Sequence, residues 1–154
     1  MGHIGLLQGF GEHTVHPVGI FLPMLVVVAL TFIGFIRMGA MRQAAVKAGQ
    51  DPSYYRAQLG TPEPEATVVA VRHYGNLLEL PVLFYAACLT AYVLGAVSGW
   101  VLVFAWGYAA ARSVQSGIHL TYNNPAHRGL AFVLGALCLL AFWINLALVV
   151  FGRL

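Results

Sequence analysis

Three stretches of this chain carry no charged residue over lengths that would cross a lipid bilayer. Pro17 to Ile36 gives 20 such residues, Leu80 to Ala111 gives 32, and Gly129 to Gly152 gives 24. At about 1.5 Å of rise per residue, roughly 20 helical residues span the ~30 Å hydrocarbon core. Inside lipid every backbone polar group must be satisfied internally, which leaves helices or a closed barrel. The runs lack the sustained period-two alternation of barrel strands, so they are predicted to be helices. Composition enters here as an exclusion. Only 13 formal charges serve 154 residues, and hydrophobic types make up 60% of the chain. A soluble domain is about 25% charged. An ordinary soluble domain and a disordered tail are therefore both excluded. The predicted fold class is an all-α integral membrane four-helix bundle, one domain over residues 1–154.

The predicted spans are 17–38, 67–94, 100–119 and 128–150, with one sizeable extramembrane segment at 39–66. The 32-residue run would measure about 48 Å as one helix. A break at Gly95–Gly99 divides it into two spans; the alternative is a three-span chain with one long tilted helix. Pro17 suits a first helical turn, Pro23 is expected to bend the first span, and Thr67 is a candidate cap for the second. TYNNPAH, residues 121–127, reads as a turn. Arg42, Lys47 and Arg56 lie between spans 1 and 2, and Arg128 follows the turn between spans 3 and 4. The bias of basic residues puts both of these connections in the cytoplasm and both termini on the far side. The first residues, MGHIGLLQGFGEH, lack the basic start of a signal peptide. No basic cluster suggests a nucleic-acid partner. Cys88 and Cys138 fall in apolar runs and read as buried, inert thiols. Six histidines are scattered without ligand spacing, so no metal is expected.

Polar residues inside the apolar helices carry the functional signal. Arg72, Asn76 and Glu79 stand at i, i+4 and i+7 in the second span, within about 60° of one another around the helix. Tyr108, Arg112, Gln115 and His119 repeat the pattern in the third. A charge in hydrocarbon costs several kcal/mol unless paired or wetted, so the stripes should face the bundle interior or a subunit junction. Glu79 is expected to be buried and to take Arg72 or Arg112 as its partner. His73 is about 100° round the helix from Arg72 and need not share the site. Two arginines with neutral donors suit a small anionic ligand. The same residues would equally serve as polar staples between helices, and a channel or proton path is a third reading.

At these stripes the chain resembles a known family. RHYGNLLELPVLFYAACL is similar to the second helix of the MAPEG family, the membrane-associated proteins of eicosanoid and glutathione metabolism. Arg72, Asn76, Glu79, Pro81 and Phe84 match its pattern. ARSVQSGIHLTYNNPAHRGLAF resembles the corresponding region of bacterial members. The resemblance implies four spans, a homotrimer in membrane lipid, sites between neighbouring subunits, a bacterial inner membrane, and glutathione bound as co-substrate by Arg72, Asn76 and Glu79, with Arg37 contributing from the first helix. It implies a glutathione-dependent transferase or peroxidase acting on a small apolar electrophile; the alternative is a non-catalytic membrane ligand-binding or structural protein of the same fold. The leukotriene-forming members carry a thiol-activating arginine where this chain has Gly117, and tyrosines where it has Trp106 and Ala110. Arg112 is then the remaining candidate for the catalytic thiolate stabiliser.

Overall fold

The computed structural model describes residues 15–154, and every described element is helical. A 3-10 turn at Pro17–Ile20 leads into α1, Phe21–Lys47. A short helix α2, Tyr54–Ala57, sits in the connecting segment. Then come α3, Glu65–Asn76, and α4, Leu80–Val93, followed by α5, Gly99–Leu120, and α6, Pro125–Phe151. Expectations for the N-terminal residues, including His3 and His13, lie outside the described residues.

Local chemistry sets the ends. Gly95 takes φ +59 between α4 and α5, a conformation open to glycine. Ser98 caps α5 by accepting from the Val101 N–H at 3.3 Å. Asn124 caps α6 by accepting from Ala126 and His127 at 2.9 and 3.2 Å, with Pro125 as the first helical residue. One expectation, for Thr67, is corrected. Pro23 leaves α1 continuous. The 3-10 turn precedes it, so it falls in the first α turn, where few intrahelical bonds are lost. Thr67 does not cap α3, because the cap is Pro64. Thr67 lies one turn in, and its hydroxyl faces the Met41 carbonyl of α1 at 3.5 Å.

Pro81 does interrupt the second helical stretch. It opens α4, while Leu77–Glu79 leave regular helix and Glu79 takes φ −82, ψ −93. A proline within a helix removes one donor and crowds the carbonyl four residues back. The consequence falls on the site described below.

The most extensive packing joins α5 to α6; α1 lies on α3 and α5, and α4 contacts α6. The core between them is rich in small residues, among them Ala87, Ala91, Ala105 and Ala109, with Phe84 stacked on Tyr108 at 4.4 Å between ring centres. Small side chains let helix backbones approach closely where lipid supplies no hydrophobic drive between helices. The outside is apolar: Phe32, Ile36, Leu137, Leu140 and Ile144 are all more than half exposed. Three helical stretches, Pro17–Lys47, Glu65–Val93 and Pro125–Phe151, are long and apolar enough to cross a membrane. A water-soluble monomer rarely shows so much contiguous apolar surface. The chain is an integral membrane protein built as an all-α bundle.

Candidate functional site

The two polar stripes meet at the break ahead of Pro81. In an unbroken helix the Asn76 carbonyl would accept from the residue four places on. Here the helix ends at Asn76, and that carbonyl instead accepts from Nη2 of Arg112 on α5. Arg112 also donates from Nη1 to Oε1 of Gln115 at 2.6 Å, one turn along the same face. The guanidinium lies 6.0 Å from the Tyr108 ring centre and 5.7 Å from that of Phe132. A side chain with five donors and a fixed charge is thus held inside the bundle, fully buried. The expectation that the third-span stripe faces inward holds at Tyr108, Arg112, Gln115 and His119, all of them buried.

The second-span stripe behaves differently. Arg72 and Glu79 are exposed on the chain, and Asn76 is half-buried. The expectation of a buried Glu79 paired with Arg72 or Arg112 is corrected. Arg42–Glu63, at 3.3 Å, is the only salt bridge among the described residues. The buried face of α3 is instead Thr67, Ala70 and His73, continued by Leu77. Their spacing of three, three and four residues is itself a helical stripe, legible in the sequence but masked by the charges beside it.

Two open clefts flank the junction. One, of about 260 Å³, is lined by Asn76, Glu79, Gln115, Arg128 and Phe132 along with Pro125 and Gly129. It brings Asn76 and Glu79 together with a helix α5 amide and an α6 arginine. The other, of about 460 Å³, is lined by Arg37, Glu65, His119 and Asn123 among others. Arg37 therefore lies at a different cleft of its own chain from Asn76 and Glu79. Arg72 lines neither, and Arg112 sits behind the first cleft rather than on its wall.

Arg128 was missed as a site residue because its place just after a turn marks topology first. It stands between the clefts, donating from Nη1 to Asn123 Oδ1 at 2.7 Å and meeting His119 Nε2 at 3.1 Å. His73, off the stripe by spacing, packs edge-on against His119 with ring centres 5.0 Å apart. Of the thiols, Cys88 is fully buried and Cys138 half-buried, and both are free. No group of three or more metal-ligating acidic, histidine or cysteine side chains occurs among the described residues.

An apolar exterior around helices whose ends enclose charged clefts defines an integral membrane protein with a polar site between its helices. More particularly, residues 20–148 match the MAPEG family, and the chain belongs to that family of membrane-associated proteins, with the general lipid- and eicosanoid-related metabolic role this carries. No curated protein and no solved structure matches the chain.

Proposed function

We propose that the protein is a glutathione-dependent transferase or peroxidase acting on a small apolar electrophile at the membrane. The supporting observation is the cleft shared by Asn76, Glu79, Gln115 and Arg128 beside the buried Arg112 charge. Its donor set fits glutathione, an anionic tripeptide. Arg128 on the cleft wall, and Arg72 outside it on the same outward helix face as Glu79, offer guanidinium groups to carboxylates, Glu79 accepts from the ammonium, and Asn76 and Gln115 bond peptide groups. Arg112 supplies positive charge to the thiolate from behind Asn76 and Gln115, at reduced dielectric.

In transfer, the thiol loses its proton to solvent. Its sulfur forms a carbon–sulfur bond to the electrophile as an anionic leaving group departs with the bonding pair. With a lipid hydroperoxide, the sulfur takes the terminal peroxide oxygen and the alcohol leaves. A second glutathione then gives the disulfide and water.

On one chain the 260 Å³ cleft is smaller than the ~300–1,000 Å³ usual for small-molecule sites. Exposed Arg72 and Glu79 would be costly facing lipid. Both points favour closure of the site by a neighbouring copy, the family resemblance makes that assembly a homotrimer, and Arg37 belongs to the glutathione set only if its cleft opens onto that neighbour. Each subunit crosses a bacterial inner membrane four times, α5 being the third span in chain order. Residues 39–66 and 120–127 are cytoplasmic, with both termini on the other side, as the basic-residue bias directs.

One observation favours a second reading, ligand binding without turnover: Arg112 is already engaged by Asn76 and Gln115. The deciding experiment is glutathione binding to purified protein, followed by turnover with a panel of halogenated aromatics and lipid hydroperoxides. Binding with turnover supports the enzyme, and binding without it supports the alternative. A Cβ at Gly117 meets nothing within 4 Å, so Gly117→Arg is sterically open at its root. Turnover gained by that variant would identify a missing thiolate stabiliser.

A further inference from the structure

A further open cleft, of about 500 Å³, lies at the C-terminal end of α1 and shares no lining residue with the clefts on either side of the Pro81 break. Its walls are Arg42, Gln43, Val46 and Lys47 of α1 and Tyr55 of α2. Two cations and no carboxylate therefore face the space. Glu63 does accept from Arg42 Nε at 3.3 Å, but its side chain is only 7% exposed and is not part of the wall. The Tyr55 ring centre lies 5.2 Å from the Arg42 guanidinium. Glu63 and Tyr55 thus hold Arg42 in place, which lowers the ordering cost of binding, and the Nη groups remain as donors.

The cleft continues the lipid-facing surface of α1. At 100° per residue, Phe32, Ile36, Gly39, Gln43 and Val46 share an arc of about 80°. Phe32 and Ile36 are 62% and 66% exposed, and a Cβ at Gly39 would meet nothing within 4 Å. An open apolar track therefore leads along α1 into the cleft, and Arg42 and Lys47 flank its end, about 80° and 60° to either side. Arg37 points elsewhere, about 120° round α1 from Gln43. Depth narrows the ligand. Arg42 stands about 9 Å and Lys47 about 16 Å beyond Ile36 along the axis, where the headgroup layer is roughly 5–8 Å thick. Helical Cα–Cβ bonds tilt toward the helix N-terminus, which here is the membrane side, so both long side chains lean back toward lipid phosphates. A soluble anion would use the two charges and leave the apolar track empty. We infer that this cleft holds the headgroup of an anionic phospholipid, its phosphate between Arg42 and Lys47 and an acyl chain along Phe32, Ile36 and Gly39.

The test uses the purified full-length protein, delipidated in neutral detergent and free of glutathione, so its outcome does not depend on the proposed enzymology. Native mass spectrometry counts the phosphatidylglycerol and phosphatidylcholine, of matched acyl chains, that the protein retains from an equimolar mixture. Phosphatidylglycerol is expected to be retained in preference, and added inorganic phosphate to leave it bound. Lys47→Gln should weaken phosphatidylglycerol binding about fivefold, as expected for one basic residue at an anionic surface, and leave phosphatidylcholine unchanged. Gln43→Glu puts a carboxylate on the cleft wall and should weaken it by a similar factor. Both residues are exposed, so neither change disturbs packing. Arg56→Gln removes an exposed charge from α2 that is not on the wall, and should keep the preference. Four results overturn the inference: equal retention of the two lipids, unchanged affinity in both Lys47→Gln and Gln43→Glu, displacement of the lipid by inorganic phosphate, or a loss in Arg56→Gln equal to that in Lys47→Gln, which would reduce the site to diffuse surface charge.

Discussion

The second and third helical stretches carry the same polar spacing and put it to opposite uses. On α5, Tyr108, Arg112, Gln115 and His119 are 0–5% exposed and form the polar interior. On the second stretch, Arg72 and Glu79 point outward. Spacing says which residues share a helix face; the residues on the other faces decide where that face points. Behind Arg72 and Glu79 stand Thr67, Ala70, His73 and Leu77, the buried face of this stretch, with Thr67 against Met41 of α1 and with His73 and Leu77 against Gly34. A Cβ at Gly34 would come within 2.9 Å of a Leu77 methyl and 3.5 Å of His73 Nδ1. Behind the α5 stripe lie Val103, Trp106, Ala110 and Val114, an exposed and apolar face suited to lipid. The comparison teaches that an inward polar stripe organises the chain, whereas an outward one is available to a ligand or a second subunit.

Substitutions can break this contrast, beginning with the most severe. Arg112→Ala removes a buried guanidinium and leaves the Asn76 carbonyl and Gln115 without their donor. We expect a loss of about 3 kcal/mol, seen as a fall in the unfolding midpoint of the detergent-solubilised protein. Arg72→Ala, measured identically, should leave the fold of the chain intact; equal damage from both would erase the distinction between the stripes. Next comes Gly34→Val, which overpacks the α1–α3 contact and should cost about 1–3 kcal/mol by the same melting experiment. Glu79→Ala should lower glutathione affinity about tenfold while circular dichroism and oligomer mass stay unchanged, as the loss of one charged hydrogen bond predicts. The smallest effect is Asn124→Ala. Removing the α6 cap should cost about 1 kcal/mol and leave glutathione affinity unaltered, because the capping bonds lie outside the clefts.

Much of this architecture is legible in the uncharged runs, since lipid imposes lengths and forbids unpaired backbone. The Gly95–Gly99 break and the Asn124–Pro125 start of α6 were readable because glycine, asparagine and proline act locally. The inward stripe on α5 was readable because buried charge demands company. The rest depends on tertiary context. Pro23 falls in the first α turn and not in a helix interior, and the 3-10 turn ahead of it that places it there has no distinctive signature. Thr67 looked like a cap and became a contact to α1. Arg112 was expected at a ligand and is joined to the Asn76 carbonyl, a bond that exists only because the helix breaks before Pro81. Arg128 lines the smaller cleft and His73 packs on His119 through contacts between separate helices, which spacing along one helix does not encode.

The central claim is that the charged residues of the outward stripe, and not the buried Arg112, meet glutathione directly. The measurement closest to it is a calorimetric titration of glutathione into the wild-type oligomer and into Arg72→Ala and Glu79→Ala, each verified for mass and helical content. The account predicts saturable binding to the wild type and weakened binding in both folded variants. Wild-type affinity retained in both would contradict it.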